Sequence, residues 1–199
     1  MSPASAEKVR VLCCGIFGRE LGSIDPGLRD RIEPEFLDSM LHMRPALLDE
    51  RLGGRLDSGD SSRTLVIYGD CCPHMREFCS GAGRARTYGI NCIEISLGSE
   101  RYRELRRRGA FFLMAEWLGR WKEIFAFELG LSDPELARTF MQDSASSLVY
   151  VDTGCVPVPV AALEEVATYL GLPYVVETCG LGNIEKAIAE ALERLGDDA

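Results

Sequence analysis

Val9-Arg-Val-Leu-Cys-Cys14, followed by Gly15-Ile-Phe-Gly-Arg-Glu-Leu21, is the stretch on which the reading of the chain turns. A short valine- and leucine-rich run closed by two thiols has the composition of a buried parallel strand, and the residues from Gly15 onward begin a helix whose N-terminus points at whatever Cys14 binds. The same alternation continues to the end. Strands are expected at residues 9–12, 35–40, 65–68, 89–95, 110–114, 148–151 and 174–176. Helices are expected from Pro45 to about Gly54 or fraying into residues 57–62, from Ser99, over 116–129, from the Ser132-Asp-Pro-Glu cap, over 159–170 and over 184–195. Strands that alternate with helices imply an α/β fold: a doubly wound, mainly parallel sheet with helices on both faces.

Six of the eight cysteines fall at or just past the carboxyl ends of these strands, the edge where an open α/β sheet places its ligand crevice. Cys13 and Cys14 close the first strand, Cys71 and Cys72 follow the third, and Cys155 and Cys179 follow the last two. Thiols that only filled the core would scatter along strand and helix interiors. Their grouping points to a site that uses sulfur, either a zinc ion or an iron–sulfur cluster, which needs three or four soft ligands converging in space.

Cys14, Cys71 and Cys92 are the expected thiol ligands, with His42 as a fourth ligand or as a donor behind them. Adjacent side chains diverge in an extended chain, so one member of each Cys-Cys pair is structural; Cys13, Cys72 and Cys79 read as small buried hydrophobes. Cys155 and Cys179 each sit beside a glycine, and are expected to line the pocket or to supply a further thiol to a larger cluster. No Cys-x-x-Cys pair occurs, which excludes the zinc-ribbon and thioredoxin signatures. Glu20 is a candidate acid/base or a partner for Arg19, against the plainer reading of a surface carboxylate. His74, three residues after Cys71, is a candidate base in a rival reading, a metal-free thiol enzyme with Cys71 as nucleophile.

At 199 residues and 46% hydrophobic composition the chain can bury one substantial core, so a single domain is expected, with residues 1–7 and 196–199 as flexible ends. A net charge of −9 disfavours nucleic acid as a partner. No apolar run approaches the roughly 20 residues of a membrane span and no charged, apolar leader opens the sequence, so a cytoplasmic protein with reduced thiols is expected. The arginines between 101 and 108 read as a solvated helix face. Residues 80–89 suggest a phosphate loop but lack both the Gly-Lys-Ser/Thr ending and the Gly-x-Gly-x-x-Gly spacing, and read instead as a flexible loop beside the site.

Cys14-Gly-Ile-Phe-Gly-Arg-Glu-Leu, Leu41-His-Met-Arg-Pro, Tyr68-Gly-Asp-Cys71, Asn91-Cys-Ile-Glu-Ile-Ser-Leu-Gly-Ser-Glu-Arg-Tyr and Gly109-Ala-Phe-Phe-Leu-Met-Ala-Glu-Trp, in that order, resemble the successive blocks of the family catalogued as domain of unknown function 1638. The resemblance runs from about residue 9 to 129. It implies functional roles for Cys14, Glu20, His42, Cys71 and Cys92, while Gly69-Asp-Cys-Cys-Pro-His and Ile90-Asn-Cys depart from the common pattern and bring in His74 as a substitute ligand. It implies no activity. It does imply company with corrinoid-dependent methyl-transfer systems, so a corrinoid or methyltransferase protein is the expected partner, and a non-catalytic accessory role is the third reading. The segment with Trp117, Trp121, Phe125 and Phe127 carries aromatic residues on more than one side, so part of it is open to cover by another chain or by a second copy in a homo-oligomer.

Overall fold

A computed structural model describes residues 8–58 and 63–197, without the side chain of residue 197. Of the expected flexible ends at 1–7 and 196–199 and the fraying over 57–62, residues 1–7, 59–62 and 198–199 lie outside the described residues, whereas Gly196 and Asp197 are still helical and Asp57 ends a helix. The chain divides into two compact units, Met1–Ile95 with Leu181–Ala199, and Ser96–Gly180. Each holds a parallel sheet, so the α/β class is as expected, but among the described residues the strands form two sheets and not one.

The first unit contains β1 (Val9–Cys14), β2 (Ile32–Leu37), β3 (Thr64–Ile67) and β4 (Arg84–Arg86) in the order β2-β1-β3-β4. Central β1 and β3 are buried on both faces, which is why they read as continuous apolar runs. β2 begins three residues earlier than the sequence suggests, because Pro34 is tolerated on an edge strand, where its missing N–H breaks no inner ladder. The helix expected after Cys14 is broken into a 3-10 turn at Gly15–Phe17, α1 (Glu20–Ser23) and α2 (Pro26–Arg29), in keeping with Gly15, Gly18, Gly22 and Pro26 in that stretch. A second 3-10 turn, Ser39–Met43, leads into α3 (Pro45–Asp57), which buries Leu48, Leu52 and Leu56 at helical spacing. α4 (Met75–Phe78) follows β3. The closing helix α10 (Gly182–Asp197) returns to this unit and packs on β3 and β4 with Ile184, Ile188, Ala191, Leu192 and Leu195 buried.

Residues 89–95 are not a strand. Asn91 Oδ1 accepts from the Glu94 N–H at 2.9 Å and Glu94 Oε2 accepts from the Ile90 N–H at 2.7 Å, a cap akin to a capping box, reaching one residue further back, that starts α5 (Cys92–Leu97). The fourth strand lies instead inside the glycine-rich tract, as β4.

The second unit carries α6 (Ser99–Arg107), β5 (Ala110–Leu113), α7 (Ala115–Gly119), a π-helical turn at Glu123–Glu128, α8 (Pro134–Ser144), β6 (Ser147–Asp152), α9 (Val160–Leu170) and β7 (Tyr174–Thr178), with strand order β5-β6-β7. The long helix expected over 116–129 is therefore interrupted. Trp121 and Phe125 go into the core while Phe127 is 80% exposed. Asp133 caps α8 as its sequence suggests, accepting from the N–H groups of Glu135 and Leu136. Arg101 is not free on a solvated face: it forks onto Glu177 at 2.8 and 2.7 Å and also holds Glu104.

Candidate functional site

The strand order of the first unit fixes where a ligand would sit. From β1 the chain steps to β2 on one side, then crosses to β3 and β4 on the other, so the connections after β1 and β3 diverge and open a crevice at their carboxyl ends. Cys14 is the last residue of β1, and Tyr68-Gly69-Asp70-Cys71 leaves β3 directly.

Gly69 brings a third segment in. A Cβ on it would lie 2.2 Å from Asn91 Cα, so only glycine lets the β3 loop press against the start of α5, and the Asp70 N–H donates to the Ile90 carbonyl at 3.1 Å across that contact. Cys92, the first residue of α5, is thereby set beside the β3 loop.

The thiols act on one another. Cys14 is 4% exposed and Cys92 7%, with Cys71 half-buried. A hydrogen bond between the Cys92 and Cys14 side chains pushes the Cys92 thiol up, and burial and the neighbouring Cys14, Cys71 and Cys13 add to it. Burial, then Cys14, pushes Cys71 up to about 11. Tyr68 is raised by burial and then by Cys14, Cys13, Cys92 and Cys71, which places a phenol among four thiols. Its hydroxyl is buried with no hydrogen-bond partner among the described residues. Cys13 is raised by burial, Cys14 and Glu20. Glu20 itself is 2% exposed, which overturns its reading as a surface carboxylate.

His42 lies in the Ser39–Met43 turn, and its Nδ1 meets the Ser39 carbonyl at 2.5 Å. A carbonyl only accepts, so Nδ1 carries the proton, and in a neutral ring Nε2 is the basic nitrogen. His74 Nδ1 lies 2.8 Å from Asp49 Oδ2, and Asp49 Oδ1 also accepts from the His74 N–H. Asp49 is hydrogen-bonded to Cys72 as well, which raises that thiol, after burial, to about 12. The cysteine that shares the Asp49 carboxylate with His74 is thus Cys72 and not Cys71. In the second unit Cys155 Sγ lies 4.0 Å from the Thr153 carbonyl, and Cys179 Sγ lies 3.7 Å from the Asp152 carbonyl, while the Asp152 carboxylate ties the β6 and β7 loops through Gly154 and Thr178.

Among the described residues no group of three or more of His, Cys, Asp and Glu is placed so that it could hold a metal ion, and none of the eight cysteines is in a disulfide. Sequence reasoning missed Tyr68 and Asp49. Tyr68 had a signal, its place between the β3 run and Cys71; Asp49 had none, since nothing in a polar helix position names its partner.

A family model described as protein of unknown function (DUF1638) matches residues 36–188. The matched stretch begins after Cys14 and Glu20 and runs well beyond residue 129, taking in Cys155 and Cys179. No curated protein and no solved structure matches the chain. Among the described residues no helix is long and apolar enough to cross a membrane.

Proposed function

The chain belongs to the DUF1638 family, and we propose that it binds a soft metal ion or an iron–sulfur cluster through Cys14, Cys71 and Cys92. The observation that carries this reading is that these three thiols, beside the buried Tyr68 at the β1/β3 switch point, are near enough to shift one another's protonation, with a hydrogen bond between Cys92 and Cys14. Thiols packed together away from water are held protonated by burial and by each other, and a bound cation reverses that balance, because its charge stabilises the thiolates collectively. Ligation would have to draw these side chains closer together, since as they stand the described residues form no metal-holding group. His42 is the fourth ligand or supports one: a histidine that ligates a metal commonly donates its other ring N–H to a backbone carbonyl, the bond that Nδ1 makes to Ser39. Glu20, buried beside Cys13, is the carboxylate placed to exchange protons as the thiols ionise. Eight free thiols suit a reducing, cytoplasmic setting, and a corrinoid or methyltransferase protein is the partner in this reading.

The test is anaerobic purification, reconstitution with iron and sulfide or with zinc, metal analysis and absorption spectra. Substitution of Cys14, Cys71 or Cys92 by serine is expected to abolish stoichiometric metal. A protein that takes up neither metal overturns the reading. The thiol-enzyme alternative has the weaker support, because a nucleophilic cysteine needs a lowered pKa and Cys71 is raised.

A further inference from the structure

A chain of net charge −9 has no general reason to line a cavity with arginines, yet a cavity of about 470 Å³ in the first unit is walled by Arg76, Arg84, Arg86 and Arg194, with Cys79 and Tyr88 beside them. The strand makes the pattern. Alternation along β4 sends Arg84 and Arg86 to one face, while Ala85 between them is 6% exposed. α10 supplies Arg194, whose Nη2 donates to the Arg86 carbonyl at 2.7 Å and whose guanidinium lies 4.1 Å from the centre of the Tyr88 ring.

These side chains are held in place before any ligand arrives. Arg84 donates to the carbonyls of Leu56 at 3.1 Å and Phe78 at 3.4 Å, and Arg76 and Arg86 both reach Asp70, at 3.1 and 2.5 Å. Their charges are not balanced in the same way. Asp70 serves two of the arginines, the exposed Asp57 stands 3.9 Å from Arg84, and the described contacts of Arg194 are a carbonyl and an aromatic ring. Burial pushes the Cys79 thiol up to about 11 against the pull of Arg86 and Arg84, so it stays neutral at physiological pH and adds no negative charge.

We propose that this cavity binds the phosphoryl group of a small molecule. Arginine forks match phosphate oxygens in geometry as well as charge, and pre-positioned forks lose little entropy on binding. The volume falls within the range of small-ligand sites, and the Tyr88 ring, 63% exposed at the rim, offers a stacking surface for a planar substituent. The site would use side-chain guanidinium groups in place of a glycine loop, so it does not need the phosphate-loop signature that residues 80–89 lack. It does not depend on the thiol site holding a metal.

Calorimetric titration of the full-length protein with inorganic phosphate, ribose 5-phosphate, adenosine monophosphate and adenosine tests it. The expected result is saturable binding of the three phosphate-bearing probes and not of adenosine, weakened about tenfold by Arg84→Gln and by Arg194→Gln, the loss of one charge-assisted contact. Arg76→Gln, at a side chain 81% exposed, is the variant that keeps the fold, and a several-fold loss is expected there too. Tyr88→Leu separates the sources: selective loss of adenosine monophosphate assigns a nucleotide, and equal binding throughout assigns a phosphate without an aromatic part. The proposal is overturned if none of the three binds at millimolar concentration, if adenosine binds as well as its monophosphate, or if arginine variants with unchanged circular dichroism bind as the parent does.

Discussion

Tyr68 ends in a hydroxyl that burial has cut off from water and that no described residue engages, which is an expensive arrangement for a side chain whose ring would pack as well without the oxygen. Phenylalanine at this position tests what the hydroxyl is for. In metal-free protein Tyr68→Phe is expected to raise stability by about 1 kcal/mol, because an unsatisfied polar group disappears. If the thiols hold a metal, the same change is expected to weaken metal retention. Thermal melts and competitive chelation measured on one preparation distinguish the two effects, and a variant unaltered in both removes Tyr68 from the site. His74 and Asp49 give a second measurement at this scale. The hydrogen bond that His74 donates to Asp49 raises the histidine above 6.5 and lowers the carboxylate below 3.8. For the raised histidine the stabilisation is complete below about pH 6.5 and is lost as pH climbs through the folded value; for the lowered carboxylate it is present above about pH 3.8 and is lost as pH falls through the folded value. An NMR titration should find the His74 midpoint above 6.5 and returning towards it in Asp49→Asn. A midpoint at or below the ordinary value in the parent protein contradicts the ion pair.

Among the elements, the β3 loop and the start of α5 are joined by a contact that only glycine permits. Gly69→Ala places a Cβ against the Asn91 backbone, which has no rotamer with which to yield, so the cost should reach or exceed the upper end of the roughly 1–3 kcal/mol typical of overpacking. Cys92 should also move away from Cys71. Chemical denaturation and metal content are therefore expected to fall together, and an alanine variant with parental stability would mean that the two segments can separate freely. The same region shows where the sequence could be read and where it could not. β1 and β3 were legible because both faces are buried and apolar runs follow. Residues 89–95 misled, since Ile90, Ile93 and Ile95 carry strand propensity, whereas the cap formed by Asn91 and Glu94 sets the local conformation. β4 was invisible: Arg-Ala-Arg has no apolar run, and these three residues on a sheet edge are held by pairing with β3 and by the packing of α10, both distant in sequence or unreadable from it. Of the site, the positions of Cys14 and Cys71 could be inferred from strand ends, but the approach of Cys92 depends on a steric contact between residues 22 apart, and the arginine cavity on a helix returning from the far end of the chain.

At the scale of the whole molecule, the two units differ in winding, and this difference localises the expected response to metal. The β2-β1-β3-β4 sheet reverses direction between β1 and β3 and so opens a crevice, while β5-β6-β7 progresses one way and has no such point. Cys14, Cys71 and Cys92 all belong to the first unit. A ligand that binds the folded state alone stabilises it by about 2.7 kcal/mol at a hundredfold excess over Kd, and its first effect on hydrogen exchange is to suppress the local openings that would break its own ligand set. Metal loading is therefore expected to slow exchange in peptides covering β1, β3 with its loop to Cys71, and residues 89–95. Under conditions where exchange proceeds by local opening, peptides from β5, β6 and β7 should keep their metal-free rates. Chelation should reverse the protection, and Cys92→Ser should prevent it. Protection that appears first or only in residues 96–180 would place the metal on the other sheet and remove Cys14, Cys71 and Cys92 as its ligands.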